Sequence, residues 1–202
     1  LCASRGLGDV YKRQGIAALC EDCGAAARIL PIAQDNLKSI EYIMGLAQGA
    51  DVIITIGGAS VGKYDLVNAA TNNLGIDKSF YKVAMRPGKP LMAGKINNTP
   101  IIGLPGNPVS ALVCGYVFIK PLIHAMLGLE RKSIPRLKAF CSTPITENGP
   151  REHYMRAVLL PNGCLKPLEN QDSARLALLS DSNALLIRPP HAKAIPADTL
   201  CE

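Results

Sequence analysis

The sequence predicts an α/β chain in two parts: a layered, mostly parallel α/β domain and a small β-rich domain after it. Three observations carry that prediction. Short β-branched strands alternate with amphipathic helices up to about residue 128. The run Ile101 to Ser110 reads as strand, tight glycine–proline turn and helix start in ten residues. Beyond Gly128 the pattern changes to short segments broken by Pro144, Gly149-Pro150, Pro161-Asn162-Gly163, Pro167 and Pro189-Pro190.

The bulk properties suit that architecture. The chain has 202 residues, enough for one large or two small domains, and is 48% hydrophobic and 19% charged. Tryptophan is absent, so aliphatic side chains must fill the cores. The charge of +6 is moderate, and no lysine or arginine run interleaves with aromatics. Nucleic-acid binding is therefore a weak idea, and small anionic ligands fit as well. Seven scattered cysteines, an odd number, suggest reduced thiols and a cytoplasmic setting. Cys20-Glu21-Asp22-Cys23 has no second pair at zinc spacing. No membrane span or secretory signal is expected. Residues 1–14 include Asp9-Val10-Tyr11-Lys12-Arg13-Gln14, which looks like a translated sequencing adaptor; the stretch is expected to be a non-native scar, excluded from fold reasoning.

From Gly15 to Cys23 the pattern is the end of a helix stopped by Gly24. Arg28 to Ile32 reads as a short strand. Asp35 suits the cap of a helix whose apolar face is Leu37, Ile40, Ile43, Met44 and Ala47. Asp51 to Ile56 is a buried strand, followed by a Gly57–Gly62 loop and a helix from about Tyr64 to Leu74. That loop is neither a P-loop nor a dinucleotide fingerprint. Tyr81 to Met85 and Leu91 to Ala93 read as strands, and Asn97-Asn98 as a hairpin-like turn into strand 101–104. Asn107 caps, and Pro108 starts, a helix reaching Leu127 with a kink at Pro121. Lys132 to Lys138 is a linker, so the expected domains are 15–132 and 138–202. In the second, Ala174 to Leu179 is the one helical hint, with Asp172 or Ser173 as its cap.

Chemistry gathers at the turns. A helix N-terminus after a glycine turn presents free N–H groups and a positive dipole end to an anion, or is merely a connection. Right-handed crossovers should put both glycine loops on one sheet edge. In Arg86-Pro87-Gly88-Lys89-Pro90, two prolines and a glycine hold two cations that suit a tetrahedral oxyanion, unless the loop is simply solvated. Lys82 and Lys95 stand nearby in sequence. Asp65 is open between holding a magnesium ion beside phosphates and capping a helix. His124, His153 and His191 have no partners at triad or ligand spacing, and Ser60 is in no nucleophile elbow.

Gly57-Gly58-Ala59-Ser60-Val61-Gly62-Lys63-Tyr64-Asp65, Arg86-Pro87-Gly88-Lys89-Pro90 and Gly103-Leu104-Pro105-Gly106-Asn107-Pro108-Val109-Ser110 occur in this order. Together they resemble the molybdopterin molybdenumtransferase family, which includes MoeA and the gephyrin E domain. The first motif alone is shared with molybdopterin adenylyltransferases. The resemblance runs from Gly15 to Glu202 and implies a three-layer molybdopterin-binding domain followed by a small β-barrel. It implies insertion of molybdate into adenylylated molybdopterin with release of AMP, aided by Mg2+. It implies pterin and phosphate contacts at Gly57, Gly58, Ser60, Gly62, Pro105, Gly106 and Asn107. Arg86, Lys89, Ser110, Arg156 and Ser173 become molybdate contacts, Asp65 and Lys82 catalytic residues, and Asp65, with Asp35, the metal position. A homodimer, and the adenylyltransferase as a partner, are further expectations. The N-terminal half of the family has no counterpart here, so the chain is expected to be a fragment inactive alone. The other readings are the adenylyltransferase itself, or a non-catalytic pterin- or molybdate-binding or scaffold module.

Overall fold

The computed structural model describes residues 7–34, 36–57, 75–129, 136–172 and 177–201. They fall into two compact units. The first runs to Val83 and resumes from Gly88 to Arg131; the second comprises Ala84–Pro87 and everything from Lys132 onward.

The first unit is built on a four-stranded sheet. Its strands are β1 (Ile53–Ile56), β2 (Ile76–Tyr81), β4 (Met92–Ile96) and β5 (Thr99–Leu104), in the order β1-β5-β4-β2. The mostly parallel arrangement expected from sequence holds at β1–β5 and gives way beyond it. There β5, β4 and β2 run antiparallel. The cause is local: Asn97 and Asn98 both adopt positive φ, 45° and 77°, the geometry of a two-residue hairpin turn. Such a turn returns the chain beside itself and forbids a parallel crossover.

Helix α1 (Leu7–Asp22) ends at Gly24, where φ is +91°. Its first turns come from the adaptor-like stretch of residues 1–14. Lys12 is buried there, its ammonium donating to the Gly106 carbonyl at 2.8 Å. The strand expected at Arg28 to Ile32 does not form, and those residues pair in no ladder. Helix α2 (Leu37–Leu46) is capped by Asn36, whose side chain accepts from the Ser39 amide; Asp35, the expected cap, lies outside the described residues. Its Ile40, Ile43 and Met44 pack with Ile101 and Ala33 into the core over the sheet, joined by Ile53, Ile76 and Ile96.

The long apolar helix begins as α3 (Pro108–Cys114), widens into a π-helical turn over Gly115–Ile119 and continues as α4 (Lys120–Met126). The widening replaces the expected kink, because Pro121 has no N–H for the carbonyl one turn back and the wider turn absorbs the defect. Gly115 lets α1 approach: a Cβ there would stand 2.8 Å from Ile16 Cδ1 and 2.9 Å from Leu19 Cδ2. The run Pro108–Met126 is, against expectation, long and apolar enough by composition to cross a membrane. Its Val109, Ala111, Val113, Cys114, Ile119 and Ile123 are buried within the protein, as in any core helix.

In the second unit β3 (Met85–Arg86), β6 (Ala139–Cys141), β7 (Glu152–Leu159), β8 (Cys164–Pro167) and β10 (Thr199–Cys201) follow the order β10-β6-β8-β7-β3. Strand β9 (Ala184–Arg188) also pairs β7. Ala139, Cys141, Ile145, Ala157, Leu165 and Leu186 form its core. The described pairings form a branched sheet, and closure into the expected barrel is not among them. A short helix, α5 (Ala177–Ser180), stands close to the expected helical hint.

Candidate functional site

Strand register gathers the first group of candidates. Thr55 pairs Gly103, Gly103 pairs Met92 and Met92 pairs Tyr81, so one row crosses all four described strands of the first unit. Just beyond it lie Gly57, Pro105 and Lys82, all at the same edge of the sheet. With strands about 4.8 Å apart, the edge from β1 to β2 spans about 14 Å, room for an extended ligand.

At this edge two turns touch. Gly57 holds φ +79°, a left-handed conformation glycine adopts without cost, and its amide donates to the Leu104 carbonyl at 3.1 Å. A Cβ on Gly106 would stand 3.4 Å from Gly57 Cα. That distance is ordinary contact, so it is the left-handed φ of Gly57, rather than the space, that asks for glycine. Next to them Asn107 is extended and caps α3, its Oδ1 accepting from the Ser110 amide at 3.3 Å and the Ser110 hydroxyl at 3.4 Å. The cap uses only part of the helix end, leaving other first-turn N–H groups and the positive dipole end facing the edge. Ser110 is buried, and its hydroxyl serves the cap rather than standing free.

Lys82 has φ 72°, a conformation that costs a non-glycine residue about 1 kcal/mol and tends to mark functional positions. Its amide donates to the Leu91 carbonyl, and its ammonium stands 4.9 Å above the Tyr81 ring. Val83 N donates to the Lys89 carbonyl, which narrows the neck of the 83–89 loop. Lys82 and Lys89 are both exposed.

The second unit holds the other cations. Arg86 is exposed on β3, after which the peptide to Pro87 is cis. Arg86 pairs in register with His153 of β7, and His153 with Arg188 of β9. Arg156 is 2% exposed. Its Nη2 donates to the Asn170 carbonyl at 3.3 Å, while its buried Nη1 has no acceptor among the described residues. Gln171 clamps the same residue's backbone, accepting from its amide and donating to its carbonyl. Burial lowers the Arg156 proton affinity and Asp172 works against that. Burial chiefly, then Arg86, Arg151 and Arg156, push the His153 imidazole down to about 4. Sequence spacing gave His153 and Arg188 no role; their register on neighbouring strands is invisible without the fold.

Asp35, Gly58, Ser60, Gly62, Asp65 and Ser173 lie outside the described residues, as does the helix expected over 64–74. Among the described residues no three His, Cys, Asp or Glu side chains stand together to hold a metal ion. The fit for Mg2+ therefore rests on Asp35 and Asp65 alone. Cys20 and Cys23 are buried free thiols; burial first, then Cys23 and Glu21, raise the Cys20 thiol to about 11, which makes it inert. A cavity of about 740 Å³ opens among α1, residues 24–30 and β1, lined largely by aliphatic side chains. No candidate site residue lines it, so the anion-binding reading stays with the sheet edge.

Comparison with known proteins adds the following. Residues 11–125 match the family model described as "Probable molybdopterin binding domain", and residues 138–202 the one described as "MoeA C-terminal region (domain IV)". The chain is 34% identical over 203 residues to molybdopterin molybdenumtransferase 2 of Mycobacterium tuberculosis H37Rv, covering 95% of this chain and 50% of that protein. It is 34% identical over 183 residues to the molybdopterin molybdenumtransferase of Nostoc sp. PCC 7120, covering 86% of this chain and 42% of the relative. A solved structure of the molybdopterin biosynthesis MoeA protein from Pyrococcus horikoshii superposes with a TM-score of 0.78 at 21% identity, covering 94% of this chain and 46% of that one. The chain spans about half the length of the curated relatives it matches.

Proposed function

The chain belongs to the molybdopterin molybdenumtransferase (MoeA) family, and on that premise we propose that it serves molybdenum cofactor biosynthesis. The reaction is transfer of molybdate into adenylylated molybdopterin, with release of AMP. The observation that carries this reading is the single sheet edge where Gly57, Gly106, the Asn107-capped helix start and Lys82 are brought together by register. Bare backbone at the glycine crossing admits a phosphate close to N–H groups, and the helix dipole favours its negative charge.

In this reading the pterin phosphates lie along Gly57 and Pro105 to Asn107. Lys82, already held in a strained conformation, neutralises charge that develops on the phosphoanhydride as AMP leaves. Arg86, Lys89 and Arg156 orient molybdate, a tetrahedral dianion that planar guanidinium groups hold in two places at once. Asp65 with Asp35, a bound Mg2+, a homodimer, a cytoplasmic location and hand-over from the adenylyltransferase complete the proposal. The match of residues 138–202 to the MoeA C-terminal region favours this step over the preceding adenylylation.

The test supplies molybdate and adenylylated molybdopterin to a full-length version of the protein carrying Arg86→Ala or Lys82→Ala. Cofactor formation is expected to fall by about 100-fold or more in each. Undiminished formation in both would remove the proposed roles. ATP-dependent adenylylation of molybdopterin by the unmodified protein would point to the earlier step instead.

A further inference from the structure

We propose that the second unit carries an oxyanion site of its own: Arg86, His153 and Arg188, aligned across three adjacent strands, take a tetrahedral dianion of sulfate or phosphate size. The alignment follows from two ladders. β3 runs parallel to β7 with Arg86 opposite His153, and β9 runs antiparallel to β7 with His153 opposite Arg188. Partners in register leave a sheet on the same side, with neighbouring strands about 4.8 Å apart. Two arginine Cα positions thus flank that of His153, about 10 Å across.

Arg188 supplies the independent observation. It is 7% exposed, and its Nη2 donates to the carbonyls of Ala192 and Lys193 in the following turn. Its Nε is buried with no acceptor among the described residues. A buried cation with an unfilled N–H is expensive, and natural structures fill such positions with an acceptor. Asn148 fixes the strand end around it, its amide group donating to the carbonyls of Arg151, Arg188 and Pro189. His153 is 8% exposed, and the charged groups acting on it are Arg86, Arg151 and Arg156, all cations. The row has positive charge and donors in excess.

This site is separate from the molybdate contact at Arg156. The β7–β9 register is unbroken from His153 to Ala157, so Arg156, three residues on, leaves from the other side of the strand. Only Arg86 is common to the two readings. The site stands whether or not the chain takes part in cofactor synthesis.

A bound dianion must favour the charged form of the imidazole beside it, and that linkage supplies the test. The whole chain has three histidines, His124, His153 and His191, whose ring protons are followed by NMR across pH with and without sodium sulfate. Sulfate is expected to raise the His153 midpoint by at least one pH unit and to leave the other two in place. Calorimetry on Arg188→Met is expected to show sulfate binding weakened at least tenfold, whereas Lys166→Met, at an exposed position of β8, retains it. Glycerol phosphate run in parallel separates the sources: tighter binding than sulfate assigns the row to a phosphate-bearing ligand, equal binding to the free ion. An unmoved His153 midpoint at saturating sulfate overturns the proposal, as does full affinity in Arg188→Met. Should Arg188→Met fail to fold, the histidine titration of the unmodified chain decides alone.

Discussion

At the scale of single residues, the second unit concentrates positive charge where it is costly. His153 shows the consequence. Its ordinary midpoint of 6.5 falls to about 4 in the fold, through burial first and then Arg86, Arg151 and Arg156. Between those values the unfolded chain binds a proton that the folded chain refuses, so stability is lost as pH falls from 6.5 toward 4. Above 6.5 both states are neutral and the contribution is flat. The loss over the window is expected to be about 2 to 3 kcal/mol. Urea unfolding of the unmodified chain and of His153→Gln, in buffers without sulfate or phosphate, reads it as a difference in pH slope between the two proteins. Equal slopes would show that His153 binds its proton as readily in the fold as in the unfolded chain. Arg156 belongs to the same pattern, since a buried guanidinium with an unfilled Nη1 adds little to stability and is explained better by binding.

At the scale of elements, backbone chemistry decides more than propensity. Two glycines with close neighbours make opposite predictions. A Cβ on Gly94, in β4, would stand 2.5 Å from the Asp77 carbonyl oxygen and 3.1 Å from Lys78 Cα, both backbone atoms of the paired strand β2. The register slips between Lys78 and Phe80 beside this contact, so the ladder is already bent there. Gly94→Ala must therefore displace a strand, and a loss of about 2 to 4 kcal/mol is expected. Gly115→Ala meets only the methyl ends of Ile16 and Leu19, which can rotate aside. Its loss is expected to stay below about 1.5 kcal/mol, helped by the better helix propensity of alanine. Denaturant midpoints of the two variants test the order, and a reversed order would contradict the packing. The same physics sets what was legible in the sequence. The helix start at Asn107-Pro108, the stop at Gly24 and the Asn97-Asn98 turn were readable, because each depends on one residue's own φ or side-chain reach. The 28–32 stretch failed as a strand because a strand exists only with a partner, and apolar composition does not name one. The cap of α2 is Asn36, one residue beyond the expected position; both residue types cap equally well, so sequence alone cannot choose.

At the scale of the whole chain, the unreadable feature is that the second unit is discontinuous. Composition placed a boundary at the 132–138 linker, yet Ala84–Pro87 clusters with the later residues. No local signal could reveal this, because β3 is two residues long and gains its identity from pairing with β7. Four residues lent by the 83–89 loop cover one flank of β7: Glu152 N donates to the Ala84 carbonyl at 2.9 Å, and Arg86 stands beside His153. A piece comprising residues 136–202 keeps the Ala139, Cys141, Ala157, Leu165 and Leu186 core but loses that flank. It is expected to retain strand signal in circular dichroism. Its His153 should titrate well above the value of about 4 in the whole chain, because solvent reaches the ring and Arg86, the cation acting on it most strongly, is gone. Adding back a peptide spanning residues 82–91 should lower the midpoint again. A piece that keeps His153 near 4 without residues 84–87 would show that burial comes from the later residues alone, and that β3 is an ornament of the second unit rather than a part of it.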